Sequence, residues 1–384
     1  MRRLFKQLIG ISQMSIRVPL SAANIDASDI QAVSNSLRER NLSGGIAVAR
    51  FEEKLADYLG VGEIIAVSSA TTGIELALAT APNLKTGDEV LVPAFTFPAC
   101  INSVIARGLK PRLVDIDPVT LNIDIDQLAK RITRKTKLVI PVDAFGAPCD
   151  IEKIREICGK KKINIIQDAA CALGSRSKDG LIGDNDHPVV FSFHQRKIIT
   201  TGEGGCIATN DSALADKMRR IRSHGAIRGE YFASFANPGF NFRMTEMSAS
   251  LGINQLDKLK SNIRRQDQVS ERYREILQEI PEIDLSSAQQ FEGRIMQSFI
   301  IKVTSESIRD SLIGFLRNEG IESTIGTYDL SSQPAYVKYL GRHSFPNARK
   351  AGQVTVALPI FSTLTDSEVD YVCEKIFAFF RKPK

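Results

Sequence analysis

One lysine in this sequence stands where a reactive amine would be useful. Lys197 follows the apolar segment Val189–Phe193 and precedes the glycine-rich turn Gly202–Gly205. Buried surroundings favour the neutral form of an amine, and a neutral amine can form a Schiff base with an aldehyde. Taken alone, the local sequence favours an ordinary surface lysine beside Arg196.

An aspartate ends a second apolar segment. Asp168 closes the predicted strand Asn164–Asp168. Ligands of parallel sheets bind at the carboxyl ends of the strands, where this carboxylate could hold a protonated ring nitrogen. A helix N-cap is an equally common role for an aspartate in this position.

Two further segments have the composition of ligand-binding turns. Val67–Leu78 predicts a strand, a turn of small residues and the start of a helix, whose N–H groups suit a phosphate monoester. A plainly capped helix is the alternative, and the P-loop pattern GxxxxGK[ST] is absent. In Val92–Pro98, Phe95 and Phe97 could offer a flat face to a ring, although aromatic residues near a strand end more often belong to the core.

These segments together match one ligand. An aldehyde for the lysine, a protonatable aromatic ring for the aspartate and a phosphate for the turn all occur in pyridoxal 5′-phosphate (PLP). Its protonated ring accepts the electrons of a carbanion formed next to nitrogen. The combination predicts PLP as the cofactor.

The elements that would position these residues alternate between strands and helices. Continuous apolar strands separated by helices are typical of an α/β fold with a mostly parallel sheet buried on both faces. The predicted strands are Glu63–Val67, Glu89–Pro93, Arg112–Asp115, Lys137–Val142, Asn164–Asp168 and Val189–Phe193. The predicted helices between them are Thr72–Ala81, Pro98–Arg107 and Ile151–Gly159.

A smaller α+β unit is predicted after a long polar helix. The pattern from Leu251 to Glu279 is helical, and a boundary is expected near residue 260. The elements predicted beyond it are the strands Ser298–Thr304 and Val354–Leu358 and the helices Ser307–Glu319 and Asp366–Phe380. The expected division is an N-terminal appendage at 1–15, a large PLP-binding domain at 16–260 and a small C-terminal domain at 261–384.

Several motifs, in order along nearly the whole chain, resemble the DegT/DnrJ/EryC1/StrS sugar aminotransferase family. They are Pro93-Ala-Phe-Thr-Phe97, Val114-Asp-Ile-Asp-Pro118, the Asp168 segment, Ser192-Phe-His-Gln-Arg-Lys197, Gly239-Phe-Asn-Phe-Arg-Met-Thr245, Gln333-Pro-Ala-Tyr336 and Leu358-Pro-Ile360. The resemblance implies the aspartate aminotransferase-like fold of fold type I PLP enzymes, with a mixed, mostly parallel sheet in the large domain. It also implies a PLP-dependent aminotransferase.

The resemblance assigns roles to individual residues. Lys197 matches the lysine that binds PLP covalently and moves protons, and Asp168 matches the partner of the ring nitrogen. Phe97 matches the aromatic residue on one face of the ring, and Ala170 matches the small residue beneath the other face.

The phosphate contacts come from three places in the family pattern. Ala70 and Thr71 match the phosphate cradle, and Ser192 matches a hydroxyl donor to the phosphate. Asn241 matches an asparagine that reaches the phosphate from a neighbouring subunit, so a homodimer with shared active sites is implied.

The sequence departs from the family pattern at three positions. Cys171 replaces the usual glutamine or histidine that bonds the ring oxygen of the cofactor, and a thiol is a weak donor. Asp143 and Ser331 stand where histidines are usual and bear on substrate contacts. A dehydratase subset of the family has histidine in place of the lysine, whereas this chain has Lys197.

The predicted reaction is transfer of an amino group from an amino acid, L-glutamate, to a nucleotide-linked keto-sugar of the 3- or 4-keto-6-deoxyhexose type. Two alternatives remain. One is a PLP aminotransferase acting on a cyclitol or another non-nucleotide ketone with glutamine as donor. The other is a non-catalytic regulator or scaffold with the same fold.

Composition excludes several other classes. The net charge of +6 over 384 residues comes from three basic residues near each end, so the body carries no basic stripe and no nucleic acid is expected as partner. No apolar run reaches the length of a membrane helix. Six scattered cysteines without CxxC and four histidines without paired spacing predict no metal site and a reducing, cytoplasmic location. Residues 1–15 are expected to be a solvated leader or sequence upstream of a start at Met14.

Overall fold

The structure, a computed structural model, describes residues 16–40, 42–178, 180–286, 293–340 and 343–381. The predicted appendage at 1–15 lies outside these ranges. Within them, no helix combines the length and the apolar character that crossing a membrane requires.

Two sheets of the described chain meet at the segment that ends in Asp168. One comprises β2 (Glu89–Pro93), β4 (Lys110–Val114), β5 (Thr136–Val139) and β6 (Asn164–Ile165), and the other comprises β1 (Glu63–Val67), β7 (Gln167–Asp168), β10 (Val189–Ser192) and β11 (Gly205–Thr209). Their strand orders are β4–β2–β5–β6 and β1–β11–β10–β7. The Asp168 N–H donates to Pro141 O and the Asp168 carbonyl accepts from the Asp143 N–H, both at 2.9 Å, so backbone pairing continues from one sheet to the other.

The strand directions place the ligand-binding edge. β2 runs parallel to β4 and β5, β5 to β6, and β7 to β10, whereas β11 is antiparallel to β10 and β1. The carboxyl ends of β7 and β10 therefore lie side by side. This arrangement confirms the predicted α/β fold with a mixed, mostly parallel sheet.

Helix α1 (Ala27–Arg38) packs against the later helix Glu246–Leu277. The helices that pack against the strands of these sheets are α2 (Ile46–Leu59), α3 (Ala70–Thr80), α4 (Ala99–Ala106), α5 (Ile125–Arg131), α6 (Ile151–Gly159) and α7 (Ser212–Arg222). Along β1, Ile65 and Val67 pack in one apolar cluster while Ile64 and Ala66 pack in another. A strand buried on both sides explains its continuous apolar sequence.

Helix α8 (Glu246–Leu277) extends from the sheets towards the C-terminal part. Its first residue holds the start of α2, because the Glu246 carboxylate accepts from the N–H groups of Gly45, Ala47 and Val48. Residue 260 lies inside this helix. The division of the chain at that residue stays a prediction.

The C-terminal part is built around a small sheet of order β14–β17–β15. Its elements are β14 (Phe299–Lys302), α9 (Glu306–Asn318), β15 (Thr324–Ile325), α10 (Val337–Leu340), α11 (Pro346–Val354), β17 (Thr355–Leu358) and α12 (Asp366–Arg381). Tyr273 of α8 packs there against Phe299, with ring centroids 4.9 Å apart. The remaining pairs are β3 (Phe95–Thr96) with β16 (Tyr328–Asp329), β8 (Arg176–Ser177) with β9 (Gly180–Leu181), and β12 (Ala226–Arg228) with β13 (Ala233–Phe235).

The structure corrects one predicted strand. Asn164–Asp168 is not one continuous strand, because its first two residues pair with β5 and its last two with β10. Ile166 marks the change of partner. The strands Glu63–Val67 and Glu89–Pro93 and the helix Ile151–Gly159 are confirmed with the predicted bounds.

Candidate active site

A cavity of about 540 Å³ opens where β7 and β10 end and α3 begins. Eight of the nine predicted site residues line it: Ala70, Thr71, Phe97, Asp168, Ala170, Cys171, Ser192 and Lys197. Residues of the C-terminal part, among them Gln297 and Thr324, complete the lining. The ninth, Asn241, is exposed and does not line this cavity.

The first turn of α3 forms one wall. Ser69 caps the helix by accepting from the Thr72 N–H at 3.1 Å, while the Thr72 hydroxyl accepts from the Ser69 N–H at 3.0 Å. Ala70 and Thr71, whose N–H groups belong to the same first turn, line the cavity. A helix leaves its first N–H groups without intrahelical partners, so this turn suits an anion.

Gly205 allows this turn to sit close to the sheet. A Cβ atom at position 205 would lie 2.6 Å from the Ala70 nitrogen and 2.7 Å from the Ser69 carbonyl carbon. Cβ atoms do not approach backbone atoms to within 3.0 Å, so any side chain at position 205 would displace the start of α3. Packing next to the proposed phosphate cradle therefore requires glycine at position 205 of the glycine-rich turn.

Asp168 presents a buried carboxylate to the cavity. It is 6% exposed, its Oδ1 accepts from the Ala170 N–H at 3.0 Å, and its Oδ2 accepts from the Cys100 thiol at 3.0 Å. Among the described residues, no lysine or arginine forms an ion pair with it. A buried carboxylate without a cationic partner is costly, and a protonated ring nitrogen would supply the missing positive charge.

Lys197 lies in the turn after β10. Its backbone N–H donates to His194 O at 2.8 Å, and its Nζ donates to Cys171 Sγ at 3.0 Å. The thiol that departs from the family pattern therefore contacts the amine directly. The predicted bond from Cys171 to the ring oxygen of the cofactor stays a prediction.

The two aromatic residues of the Val92–Pro98 segment have different environments. Phe95 is buried and lies against Phe145, with ring centroids 6.4 Å apart. Phe97 is 65% exposed and lies 6.4 Å from the ring of Tyr328. Both rings line the cavity, but Phe95 is fixed in the core, whereas Phe97 is exposed enough to cover a bound ring.

The other two departures lie outside the cavity lining. The Asp143 carboxylate is buried and accepts from the Cys149 N–H at 2.9 Å and from Gln167 Nε2 at 2.7 Å. The Ser331 N–H and hydroxyl donate to Asp329 Oδ1 at 2.9 and 2.6 Å. Both side chains are thus engaged in local structure.

Burial raises the pKa of the Asp143 carboxyl from 3.8 to about 6. The folded protein then binds more protons than the unfolded chain between these values, so stability falls as the pH rises through about 6. Relative to wild type, we expect Asp143→Asn to gain about 1.4 kcal/mol of unfolding free energy between pH 5 and pH 8. Urea unfolding of both proteins at the two pH values measures this difference. A difference independent of pH would contradict the expectation.

Sequence reasoning missed Cys100 and Gln297. Cys100 lies on α4 and bonds Asp168, and Gln297 precedes β14 and lines the cavity. Neither belongs to a recognisable motif. The only indication in the sequence that Gln297 belongs to the site is its position just before the predicted strand Ser298–Thr304.

The cavity fits PLP by the chemistry of its groups. It offers an amine for the aldehyde, a buried carboxylate with no cationic partner among the described residues for the ring nitrogen, a helix start for the phosphate and an aromatic face for the ring. Among the described residues, no group of three or more histidine, cysteine, aspartate or glutamate side chains is arranged to hold a metal ion.

Comparison with known proteins agrees with this geometry. The DegT/DnrJ/EryC1/StrS aminotransferase family matches residues 23–377. GDP-perosamine synthase of Caulobacter vibrioides is 34% identical over 363 residues, which cover 93% of this chain and 96% of that protein.

Two solved structures share the fold over nearly their whole length. Helicobacter pylori PseC, an aminotransferase involved in the biosynthesis of pseudoaminic acid, is 25% identical with a TM-score of 0.91, covering 95% of this chain and 100% of that chain. The Escherichia coli GDP-4-keto-6-deoxy-D-mannose-3-dehydratase with bound hydrated PLP is 27% identical with a TM-score of 0.86, covering 94% and 99%.

Proposed function

This chain belongs to the DegT/DnrJ/EryC1/StrS aminotransferase family and is a PLP-dependent sugar aminotransferase, and we propose that it moves the amino group of L-glutamate to a nucleotide-linked keto-sugar. The observation that carries this proposal is the placement of Lys197 and the unpaired carboxylate of Asp168 in one cavity. The names of GDP-perosamine synthase and PseC support a role in amino-sugar biosynthesis.

Four groups of the chain would hold the cofactor. The first turn of α3 at Ala70 and Thr71 and the hydroxyl of Ser192 would bind its phosphate. Phe97 would cover one face of the ring, and Ala170 is small enough to lie beneath the other. When bound, PLP supplies an aldehyde carbon for amines and a protonated ring that stabilises negative charge next to nitrogen.

Lys197 and Asp168 would perform different tasks. The Lys197 amine would bind the aldehyde of the cofactor and would carry a proton to and from the substrate carbon. The Asp168 carboxylate would favour a proton on the ring nitrogen. The Ala170 N–H and the Cys100 thiol hold that carboxylate in place.

Lys197 also separates amino transfer from dehydration. The dehydratase subset of the family has histidine at this position, and the Escherichia coli dehydratase is among the similar structures. A lysine at this position, in the turn after β10, supports amino transfer. His194, three residues earlier, is instead paired at 3.8 Å with Glu203.

The substrate class can be tested with paired ketones. We expect amination of a 4-keto-6-deoxyhexose linked to a nucleoside diphosphate, and at least a 100-fold lower kcat/KM for a free cyclitol ketone, because the nucleotide adds binding contacts. Mass spectrometry of the product measures both. Efficient amination of the cyclitol with glutamine as donor would support the alternative instead. If neither ketone nor either donor reacts with the PLP-loaded protein, the non-catalytic alternative is favoured.

We also propose a homodimer in which Asn241 reaches the phosphate of the neighbouring site. The supporting observation is the hairpin of β12 and β13, which lies near Asn241 in sequence and exposes Tyr231, Phe232 and Phe235. Contiguous exposed aromatic residues mark interaction surfaces more often than free surface.

The dimer gives a specific expectation for Asn241. Asn241→Ala should weaken PLP retention about tenfold, the loss of roughly one hydrogen bond to a charged group. The rate of PLP release, monitored by absorbance, measures this retention, and light scattering verifies that the protein is a dimer. Asn237→Ala, an exposed asparagine of the same loop, is the matched control. Unchanged retention in a verified Asn241→Ala dimer would count against the shared site.

A further inference from the structure

The side chain of Gln297 holds the backbone on both sides of Lys197. Its Oε1 accepts from the Ile198 N–H at 3.1 Å, and its Nε2 donates to Arg196 O at 2.8 Å. Gln297 is 7% exposed and lies about one hundred residues further along the chain, just before β14. Both polar groups of one buried amide are thus committed to the peptides that flank the lysine.

A second amide completes the support of this turn. Asn262 of α8 is buried, and its Nδ2 donates to Ile198 O at 2.9 Å. Its own Oδ1 accepts from Asn24 Nδ2 at 3.0 Å. The peptide groups of Ile198 are therefore bonded by side chains from two distant parts of the chain.

Such fixation matters for Lys197 because its side chain is long and flexible. The backbone conformation of residues 196–198 sets the direction in which the Lys197 side chain leaves the backbone. Holding that backbone limits the positions that Nζ can reach, and a misplacement of about 1 Å in a reacting group can cost a factor of about 100 in rate.

We propose that Gln297 is a positioning residue that fixes the backbone of Lys197, so that the amine reaches PLP and the substrate carbon. The proposal rests on the role proposed for Lys197. Gln297 acts through Lys197 and not on the cofactor itself.

The test compares two substitutions with wild type. Gln297→Met has a similar size and loses both bonds. Gln297→Glu keeps an acceptor for the Ile198 N–H and loses the donor to Arg196 O. We expect covalent attachment of PLP to Lys197 in apoenzyme, trapped with borohydride and measured by intact mass against time, to be about 10- to 100-fold slower in Gln297→Met and intermediate in Gln297→Glu.

Asn185→Leu serves as a matched control. Asn185 is also a buried amide, and its Oδ1 accepts from the Arg155 guanidinium, outside the cavity lining. This variant should lower the unfolding midpoint and leave the attachment rate within about twofold of wild type, because Asn185 lies apart from the Lys197 turn and from the residues that support it. Equal slowing in both variants would mean that loss of any buried amide has this effect, and would overturn the proposal.

Steady-state kinetics should also separate an effect on the chemical step from an effect on substrate binding. In steady-state amino transfer from glutamate, Gln297→Met should lower kcat about tenfold or more, since placement of the amine affects the chemical step. The KM for glutamate should stay within about threefold of wild type. An attachment rate equal to wild type in folded Gln297→Met overturns the proposal. If Gln297→Met does not fold, a wild-type rate in Gln297→Glu overturns it. If wild type itself attaches no PLP at Lys197, the proposed function fails first.

Discussion

Lys197→Ala is expected to lower amino transfer at least about 1000-fold, because the protein loses both the covalent attachment of PLP and the proton-moving group. The cavity would otherwise remain intact, since the phosphate cradle at Ala70 and Thr71 and the carboxylate of Asp168 lie on other elements. The variant should still bind PLP non-covalently. Product formation from glutamate and the keto-sugar measures the activity, and borohydride trapping with intact mass measures the attachment.

An exposed lysine provides the control for this substitution. Lys161→Ala removes a lysine from the turn after α6, away from the cavity lining, and should retain wild-type turnover and one trapped PLP per chain. Wild-type turnover in Lys197→Ala would show that another group performs the reaction.

Asp168→Asn is expected to lower the rate of the glutamate half-reaction about 100- to 1000-fold. Asparagine has almost the same shape and carries no charge, so the proton on the ring nitrogen loses its partner. Stopped-flow absorbance of the PLP-loaded protein after mixing with glutamate measures the rate. Cofactor attachment at Lys197 should persist, which separates this effect from loss of the site.

Asp143→Asn is the matched control for Asp168→Asn. Asp143 is also a buried carboxyl, and its backbone N–H bonds Asp168 O, but its side chain is directed to Cys149 and Gln167. Its substitution should change stability with pH and leave the half-reaction within about threefold of wild type. Equal rates for wild type and Asp168→Asn would remove Asp168 from the proposed chemistry.

The sequence predicts those parts of the fold that local pattern determines. Continuous apolar segments such as Glu89–Pro93 have the predicted bounds, because a strand buried on both faces accepts few other residues. The prediction was wrong at Asn164–Asp168, where the segment changes partner strand at Ile166. Which strand a segment pairs with depends on the whole sheet, so the local sequence pattern does not predict the change of partner at Ile166.

The candidate site shows the same division between local and distant information. Phe95 and Phe97 are two residues apart and both line the cavity, yet Phe95 is buried and Phe97 is exposed. Pleating would place both rings on one face of a strand, but β3 ends at Thr96 and Phe97 lies beyond it. The supporting contacts of Cys100 with Asp168 and of Gln297 with the Lys197 turn join residues far apart in sequence, so no motif contains them.

Transfer of a labelled amino group tests the central claim most directly. PLP-loaded protein is incubated with ¹⁵N-glutamate and a nucleotide-linked 4-keto-6-deoxyhexose, and the products are analysed by mass spectrometry. We predict an amino-sugar nucleotide that carries ¹⁵N, formed in a one-to-one ratio with 2-oxoglutarate by wild type and not by Lys197→Ala. Formation of 2-oxoglutarate without a labelled sugar, across nucleotides and keto positions, would contradict the keto-sugar as acceptor. If no ¹⁵N-labelled amino acid donor yields its own 2-oxo acid or a labelled sugar, amino transfer itself is contradicted.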